Sequence, residues 1–279
     1  GNIIQTQKRH IMSKTRHILG VSGGKDSAAL AIYMRDRVPD MEYVFCDTAT
    51  ELPETYDFIE KLEVFLNQHI VRLPAELPGY SKKLDFDHYL DLYGGYLPSA
   101  AQRWCTKKLK LDPFEKFFGD DKVINYVGIR ADENRLGYLS TSDQVETVFP
   151  FVDDNIDKNG VMRILNESGV GYPDYYKWRS RSGCYFCFYQ RKEEWVGLKE
   201  NHPALFEKAK KYEQGDFKWR QDMKLSDLDD PKVVQKIKDA AEKEIEGKRK
   251  LRPGATLLEV LDEVRDADDV EKPCLICHL

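Results

Sequence analysis

A doubly wound α/β fold with a mainly parallel sheet, followed by a helical, cysteine-containing C-terminal region, is what the sequence predicts. Two observations carry this. Short apolar runs alternate with helically spaced ones through the first half of the chain, the pattern of strands joined by crossover helices. The first run stops at a glycine pair that opens a helix, and ligands of doubly wound sheets bind beyond the carboxyl ends of strands, where such a turn lies. A length of 279 residues with 41% hydrophobic content fits one sizeable domain plus an appendage. The composition changes near Asn155, which divides the chain into regions 1–154 and 155–279.

Residues 17–22, with Ile18, Leu19 and Val21, read as a buried strand that ends at Gly23 and Gly24. Residues 27–35 follow as a helix. A second strand is expected over 42–48. Over 53–68, Tyr56, Ile59, Leu62, Phe65 and Leu66 recur at helical spacing behind Pro53, which suits a first-turn position. Residues 69–73 and 122–130 supply further strands, separated by helical stretches around 84–93 and 106–118. From about Asn155 helical patterns replace strands, apart from an aromatic cysteine segment over 172–189. Residues 225–247 carry charges of both signs and read as solvated helices. Pro253 and Gly254 break the chain before a final helix over 256–264.

The 43 Lys and Arg against 48 Asp and Glu give a formal charge of −5, so a nucleic-acid partner must be met by a local basic surface. No window approaches the ~18 apolar residues of a membrane span. The stretch up to Gly20 has no signal-peptide core, so a cytoplasmic location and no membrane partner are expected. The sequence leaves the oligomeric state open.

Six cysteines stand at 46, 105, 184, 187, 274 and 277, four of them in two C-x2-C pairs. In a cytosolic protein this reads as metal or redox chemistry before disulfides. Cys46, ending an apolar run, reads as a packing thiol. Four thiolates in two such pairs fit a structural Zn2+ site as well as a 4Fe-4S cluster. If Cys105 is a ligand, Cys274 or Cys277 completes the set and the other is free to accept sulfur; if the two pairs close the site, Cys105 is the free thiol.

Ser22-Gly-Gly-Lys-Asp-Ser27 is the most informative stretch. It follows a strand and opens a helix, and its glycines let successive backbone N–H groups close around an anion, so a phosphate site is the physical reading. The stretch resembles the PP-loop of the adenine nucleotide alpha hydrolase superfamily. Asp47-Thr-Ala-Thr-Glu-Leu-Pro-Glu-Thr-Tyr56, Trp104-Cys-Thr-Lys-Lys-Leu-Lys-Leu-Asp-Pro113 and Gly128-Ile-Arg-Ala-Asp-Glu-Asn-Arg135 resemble, in order, three elements of its phosphoadenylylsulfate (PAPS) reductase family. Gly183-Cys-Tyr-Phe-Cys187 and Asn201-His-Pro-Ala-Leu-Phe206 look most like the branch containing the ATP-pyrophosphatase subunits of DNA phosphorothioation systems.

The resemblance implies a nucleotide-binding first region and a metal, cluster and substrate second region. It implies ATP as cofactor, held by Ser22, Gly23, Gly24, Lys25, Asp26 and Ser27, with Asp47 and Thr48 on the adenosine side. Lys25, Ser27 and Arg130 would stabilise the phosphates, and Asp26 would organise the loop or Mg2+. Cys105, Cys184 and Cys187 would hold a cluster, with Cys274 or Cys277 as partner. The implied reaction is a sulfur transfer: a nucleic-acid oxygen, most simply of DNA, is activated by ATP, and a cysteine desulfurase supplies sulfur. Two other expectations stand beside it, a PAPS or adenylylsulfate reductase using a tail cysteine, and a nucleotide-binding subunit without turnover. Lys177, Arg179, Arg181, Arg191 and Lys192 are interleaved with aromatics and no acid, which reads either as a nucleic-acid surface or as a core around a metal loop. His10, His17, His69, His88 and His202 lack metal-ligand spacing and read as packing or surface residues.

Overall fold

The computed structural model describes residues 14–74, 84–134, 140, 142–251 and 254. Cys274, Cys277, His10, Arg135 and the helix expected over 256–264 lie outside the described residues. Five strands form one parallel sheet in the order β3-β2-β1-β4-β5, built from β1 (Arg16–Gly20), β2 (Met41–Asp47), β3 (Ile70–Pro74), β4 (Val123–Tyr126) and β5 (Val145–Val148). β1 is central, its Ile18 and Leu19 fully buried on opposite faces, which is why it reads as a continuous apolar run. The strand order reverses beside β1, so its carboxyl end opens at a switch point.

α1 (Lys25–Met34) and α2 (Pro53–Leu66) cover one face together with the short α6 (Pro150–Asp153), through Phe151, and α7 (Lys158–Ser168). Ala28, Ala29 and Ala31 let α1 lie close to the strands. α2 starts on Pro53 and stops where Asn67 turns left-handed at φ 50°. The opposite face is covered by α5 (Asp112–Phe118), whose Phe114 and Phe118 pack on Ile18, Val44 and Cys46. Cys46 is thus a packing thiol, its burial pushing its pKa up to about 12.

A second core joins α3 (Phe86–Leu92) and Trp104 to the C-terminal helices α8 (Lys192–Asn201) and α9 (Pro203–Lys211). Its centre is aromatic: Phe186 stacks on Trp219 with ring centroids 5.0 Å apart, and Phe86 lies 4.2 Å from Phe186. Residues on both sides of position 155 build both cores, since α7 packs with α1 and Phe86 packs with Phe186. Ahead of α10 (Pro231–Leu251), Leu225 and Leu228 anchor the charged 225–247 stretch in this second core.

The sequence reading does not include β5, because Val145-Glu-Thr-Val148 is a short, half-exposed edge strand with no apolar run. The helix expected from 106 starts at Trp104. It consists of α4 (Trp104–Thr106), an i→i+5 turn over Lys107–Leu111, and α5. That turn matters for the site, since inserted residues of this kind re-aim neighbouring side chains. Among the described residues, no helix is long and apolar enough to cross a membrane.

Candidate active site

Gly23 and Gly24 connect β1 to α1, and each is a glycine for a steric reason. Gly23 has φ +74°, and a Cβ there would collide with Thr55 Cγ2 on α2. A Cβ on Gly24 would stand 2.8 Å from Ser182 Oγ. Gly23→Ala is expected to destabilise the fold by about 2 kcal/mol or more, through left-handed strain and overpacking. Urea unfolding should show a lower midpoint at unchanged m-value.

The loop is braced from inside. Ser27 Oγ accepts from Ser22 N–H at 3.0 Å and donates to Gly24 O at 3.3 Å, and Ser22 Oγ lies 3.0 Å from it. Ser22, Asp26 and Ser27 are all buried. Lys25 is half-buried, and its backbone N–H, at the first helical position, donates to Tyr176 OH at 3.1 Å. Tyr175 OH donates to Gly23 O at 2.8 Å. The result is a narrow, internally braced turn at the N-terminus of a ten-residue helix, the end whose dipole favours anions.

Asp26 and Arg130 meet here although 104 residues separate them. Asp26 Oδ1 accepts from Arg130 Nη1 at 3.1 Å, and Asp26 Oδ2 lies 3.3 Å from Lys25 Nζ. Burial works against the Arg130 charge, but Asp26, Glu133 and Asp132 around it hold its pKa well up. The guanidinium is thus set among three carboxylates. Asp26 organises the loop by ion pairs with Lys25 and Arg130. Gly128, on the turn leading to Arg130, permits this approach, since a Cβ would stand 3.1 Å from Asp26 O.

A pocket opens beside the loop, beyond the end of β2, and gathers Cys105, Cys184 and Cys187 with Thr48, Lys110 and Tyr189 on its wall. The i→i+5 turn is what brings Cys105 and Lys110 to the same wall. Burial pushes the Cys105 thiol up to about 12, with the Cys184 and Cys187 thiols adding to the shift, and burial likewise raises Cys184. Thr48 Oγ1 lies 2.8 Å from Thr50 Oγ1, 3.1 Å from Glu51 Oε1 and 3.5 Å from Cys184 Sγ. Thr48 therefore faces the thiols. Asp47 Oδ1 instead holds the turn after β2, accepting from Ala49 N–H at 2.8 Å and Tyr56 OH at 2.9 Å.

Glu51 is a functional candidate that sequence reasoning did not single out, because nothing in a run of polar letters marks a charge as buried; Lys110, which with Arg103, Lys107 and Lys108 reads in the sequence as part of a basic surface around Cys105, turns to Glu51 and the thiols. Glu51 is 6% exposed, and its Oε1 lies 3.9 Å from Lys110 Nζ. Burial opposes the Lys110 charge, while Glu51 and the neighbouring thiols raise its pKa. Three soft thiols on one wall are the donor type of an iron-sulfur or zinc centre. Among the described residues, however, no group of three or more His, Cys, Asp or Glu side chains is arranged to hold a metal ion.

The basic aromatic segment is mostly interior. Tyr175 and Arg179 are fully buried, and Tyr185 and Phe186 are 2% exposed. Arg179 Nη2 donates to Cys184 O at 2.8 Å, so this arginine shapes the cysteine loop and is withheld from any external phosphate. Lys177 pairs with Asp174, Arg191 with Glu193 and Glu244, and Lys192 with Asp222. Two of these acids, Glu244 on Arg191 and Asp222 on Lys192, come from distant parts of the chain, and Asp174 and Glu193 lie just outside the segment, which is why the segment alone looked more basic than the surface it makes. Arg181 lies over the Tyr189 ring at 5.4 Å, as Arg103 does at 5.6 Å. The segment also touches the glycine loop through Tyr175, Tyr176 and Ser182, and the β2 turn through Tyr185 N–H donating to Thr50 O. His202 is a packing residue, its Nε2 2.8 Å from Glu54 Oε1 on α2.

The phosphoadenosine phosphosulfate reductase domain profile matches residues 16–187, which run from β1 through the second cysteine of the Cys184 pair. Two uncharacterized proteins of Methanocaldococcus jannaschii are 30% and 28% identical to the chain, over 67% and 68% of it. The chain spans under half of their lengths, 45% and 40%. An uncharacterized nin region protein of Escherichia phage lambda is 30% identical over 42% of the chain and 49% of its own length. Among solved structures, phosphoadenylyl-sulfate reductase from Candida auris, in a phosphate complex, matches with a TM-score of 0.47 and 15% identity, over 63% of this chain and 84% of that one.

Proposed function

The chain belongs to the phosphoadenosine phosphosulfate reductase domain family, and from that premise we propose that it is an ATP pyrophosphatase that activates a nucleic-acid oxygen for sulfur insertion, in DNA phosphorothioation. The observation that carries this reading is the placement of the Ser22–Ser27 loop. It is an internally hydrogen-bonded glycine turn at the switch point, tied through Ser22 and Ser182 to the loop that bears Cys184. A phosphate-activating turn and a thiol pocket on one edge of one sheet suit a reaction that joins the two chemistries.

In this proposal a phosphate oxygen of DNA attacks the α-phosphorus of ATP. The bond to the bridging oxygen breaks, and pyrophosphate leaves with the electron pair. Hydrosulfide, released when a thiol reductant reduces the persulfide of a cysteine-desulfurase partner and is itself oxidised to a disulfide, then attacks the activated DNA phosphorus, and AMP departs with the former DNA oxygen. Backbone N–H groups of the loop and the Lys25 ammonium stabilise charge on the phosphates, so catalysis is mostly positioning and electrostatics. Arg130 acts on the phosphates indirectly, by fixing Asp26. Cys105, Cys184 and Cys187, with Cys274 or Cys277, would hold a 4Fe-4S cluster, which supplies a redox-active centre and fastens the cysteine loop.

The family match itself favours a second reading, reduction of PAPS or adenylylsulfate. The test is a paired assay on protein purified without oxygen. Pyrophosphate release from ATP with DNA present is the expected result, and sulfite release from PAPS or adenylylsulfate with no action on ATP would replace the first reading by the second.

A further inference from the structure

We propose that Tyr176 is a positioning residue of the nucleotide site, one that holds Lys25 in place by its backbone and its side chain at once. The inference rests on the reading of the Ser22–Ser27 loop as the phosphate site. The Tyr176 hydroxyl accepts the Lys25 backbone N–H at 3.1 Å, and the Lys25 ammonium lies 5.5 Å from the centroid of the Tyr176 ring. The two contacts act on the two ends of one residue. A hydrogen bond at the first position of α1 fixes where the Lys25 Cα stands, and the ring face attracts the ammonium on its flexible four-carbon stem.

The second anchor of the ammonium is Asp26 Oδ2 at 3.3 Å, itself held through Asp26 Oδ1 by Arg130. Lys25 is therefore gripped between an aromatic face and a carboxylate, with its long chain already confined before a phosphate arrives. Pre-ordering of this kind lowers the cost of binding, because the rotamer entropy of a lysine is lost in advance. Tyr176 is itself fixed: it follows Tyr175, whose hydroxyl donates to Gly23 O at 2.8 Å, and the two rings lie 4.7 Å apart. A short 3-10 turn, Asp174–Lys177, carries both tyrosines onto the loop from 150 residues away in the chain. Sequence spacing gives no sign of this contact.

The test is ATP affinity by calorimetry for Tyr176→Phe and Tyr176→Leu, each measured in the native chain and with Lys25→Met. One lost neutral hydrogen bond should weaken ATP binding about 5-fold in Tyr176→Phe. Losing the ring as well should bring the loss to about 10–30-fold in Tyr176→Leu. In the Lys25→Met background the backbone N–H remains, so Tyr176→Leu should cost no more than the about 5-fold of Tyr176→Phe, the ring contribution having gone with the ammonium. Equal losses for Tyr176→Leu in both backgrounds, or affinities within two-fold of the native chain throughout, would overturn the inference. If Tyr176→Leu fails to fold, Tyr176→Phe decides by its own affinity, and a value within two-fold of the native chain would overturn the inference. A Lys25→Met chain that binds ATP as the native chain does would instead overturn the loop reading on which the inference rests.

Discussion

Lys25→Ala is expected to reduce pyrophosphate release from ATP by about 10²–10³-fold, the usual cost of losing one charge-stabilising group in a preorganised site. The substitution should lower the melting temperature only slightly, because the Lys25 side chain is no part of either core and buried Asp26 keeps its Arg130 partner. Ser27→Ala is expected to lower turnover as well, by another route. Ser27 is 1% exposed, so it is no exposed loop residue. Its hydroxyl joins Ser22 N–H to Gly24 O across the turn. Removing it leaves the buried Ser22 N–H unsatisfied, at about 1–3 kcal/mol of stability, while Gly24 O keeps the Ala28 N–H. The pair of variants therefore separates two roles: Lys25→Ala should be stable and inactive, Ser27→Ala less stable and inactive. Near-native pyrophosphate release in both would remove the loop from the chemistry.

The parallel sheet was legible because buried central strands have an unmistakable composition. Ile18, Leu19 and Val21 in front of two glycines leave little choice of fold at that point. β5 was invisible because an edge strand with Glu146 and Thr147 needs no apolar run. The glycine loop and the thiols were legible as residue types, since positive φ restricts sequence and cysteine chemistry restricts spacing. What surrounds them was not. Buried charges such as Glu51 and Arg179 look like surface residues until the groups that neutralise or orient them are placed, and Lys110, which faces Glu51, lies far along the chain. Arg179 shows the ambiguity that follows: a basic letter among aromatics reads either as a nucleic-acid contact or as core around a metal loop, and the folded chain directs it to Cys184 O.

That contact also bears on a possible DNA surface. With Arg179 interior and Lys177, Arg191 and Lys192 paired, the basic character of residues 175–192 is largely spent within the protein. Under the proposed function, a nucleic-acid partner would be met beside the thiol pocket. Arg103 and Arg181 both lie against the ring of Tyr189, which lines that pocket. Stacking of a base on an aromatic flanked by guanidinium groups is a common way to hold single-stranded nucleic acid.

Cys184→Ser and Cys187→Ser are each expected to abolish most of the iron and acid-labile sulfide from protein prepared without oxygen, and Cys105→Ser to do the same if it is the third ligand. The argument starts from placement. These three thiols share a pocket whose wall includes Lys110, and a cluster carrying net negative charge would be stabilised by that ammonium. Burial keeps Cys105 and Cys184 protonated when no metal is bound, so loading must displace protons and should be faster at higher pH. Cys46→Ser serves as the control, since Cys46 Sγ donates to Lys110 O at 3.5 Å from the other core and points away from the pocket chemistry. It should retain native iron and sulfide. Of Cys274 and Cys277, the one whose loss lowers the metal content is the fourth ligand, and the other is then the thiol available to carry sulfur. Stoichiometric zinc without iron in the oxygen-free protein would overturn the cluster and leave a fastening site, whereas iron retained in both Cys184→Ser and Cys187→Ser would exclude this pocket as the metal centre altogether.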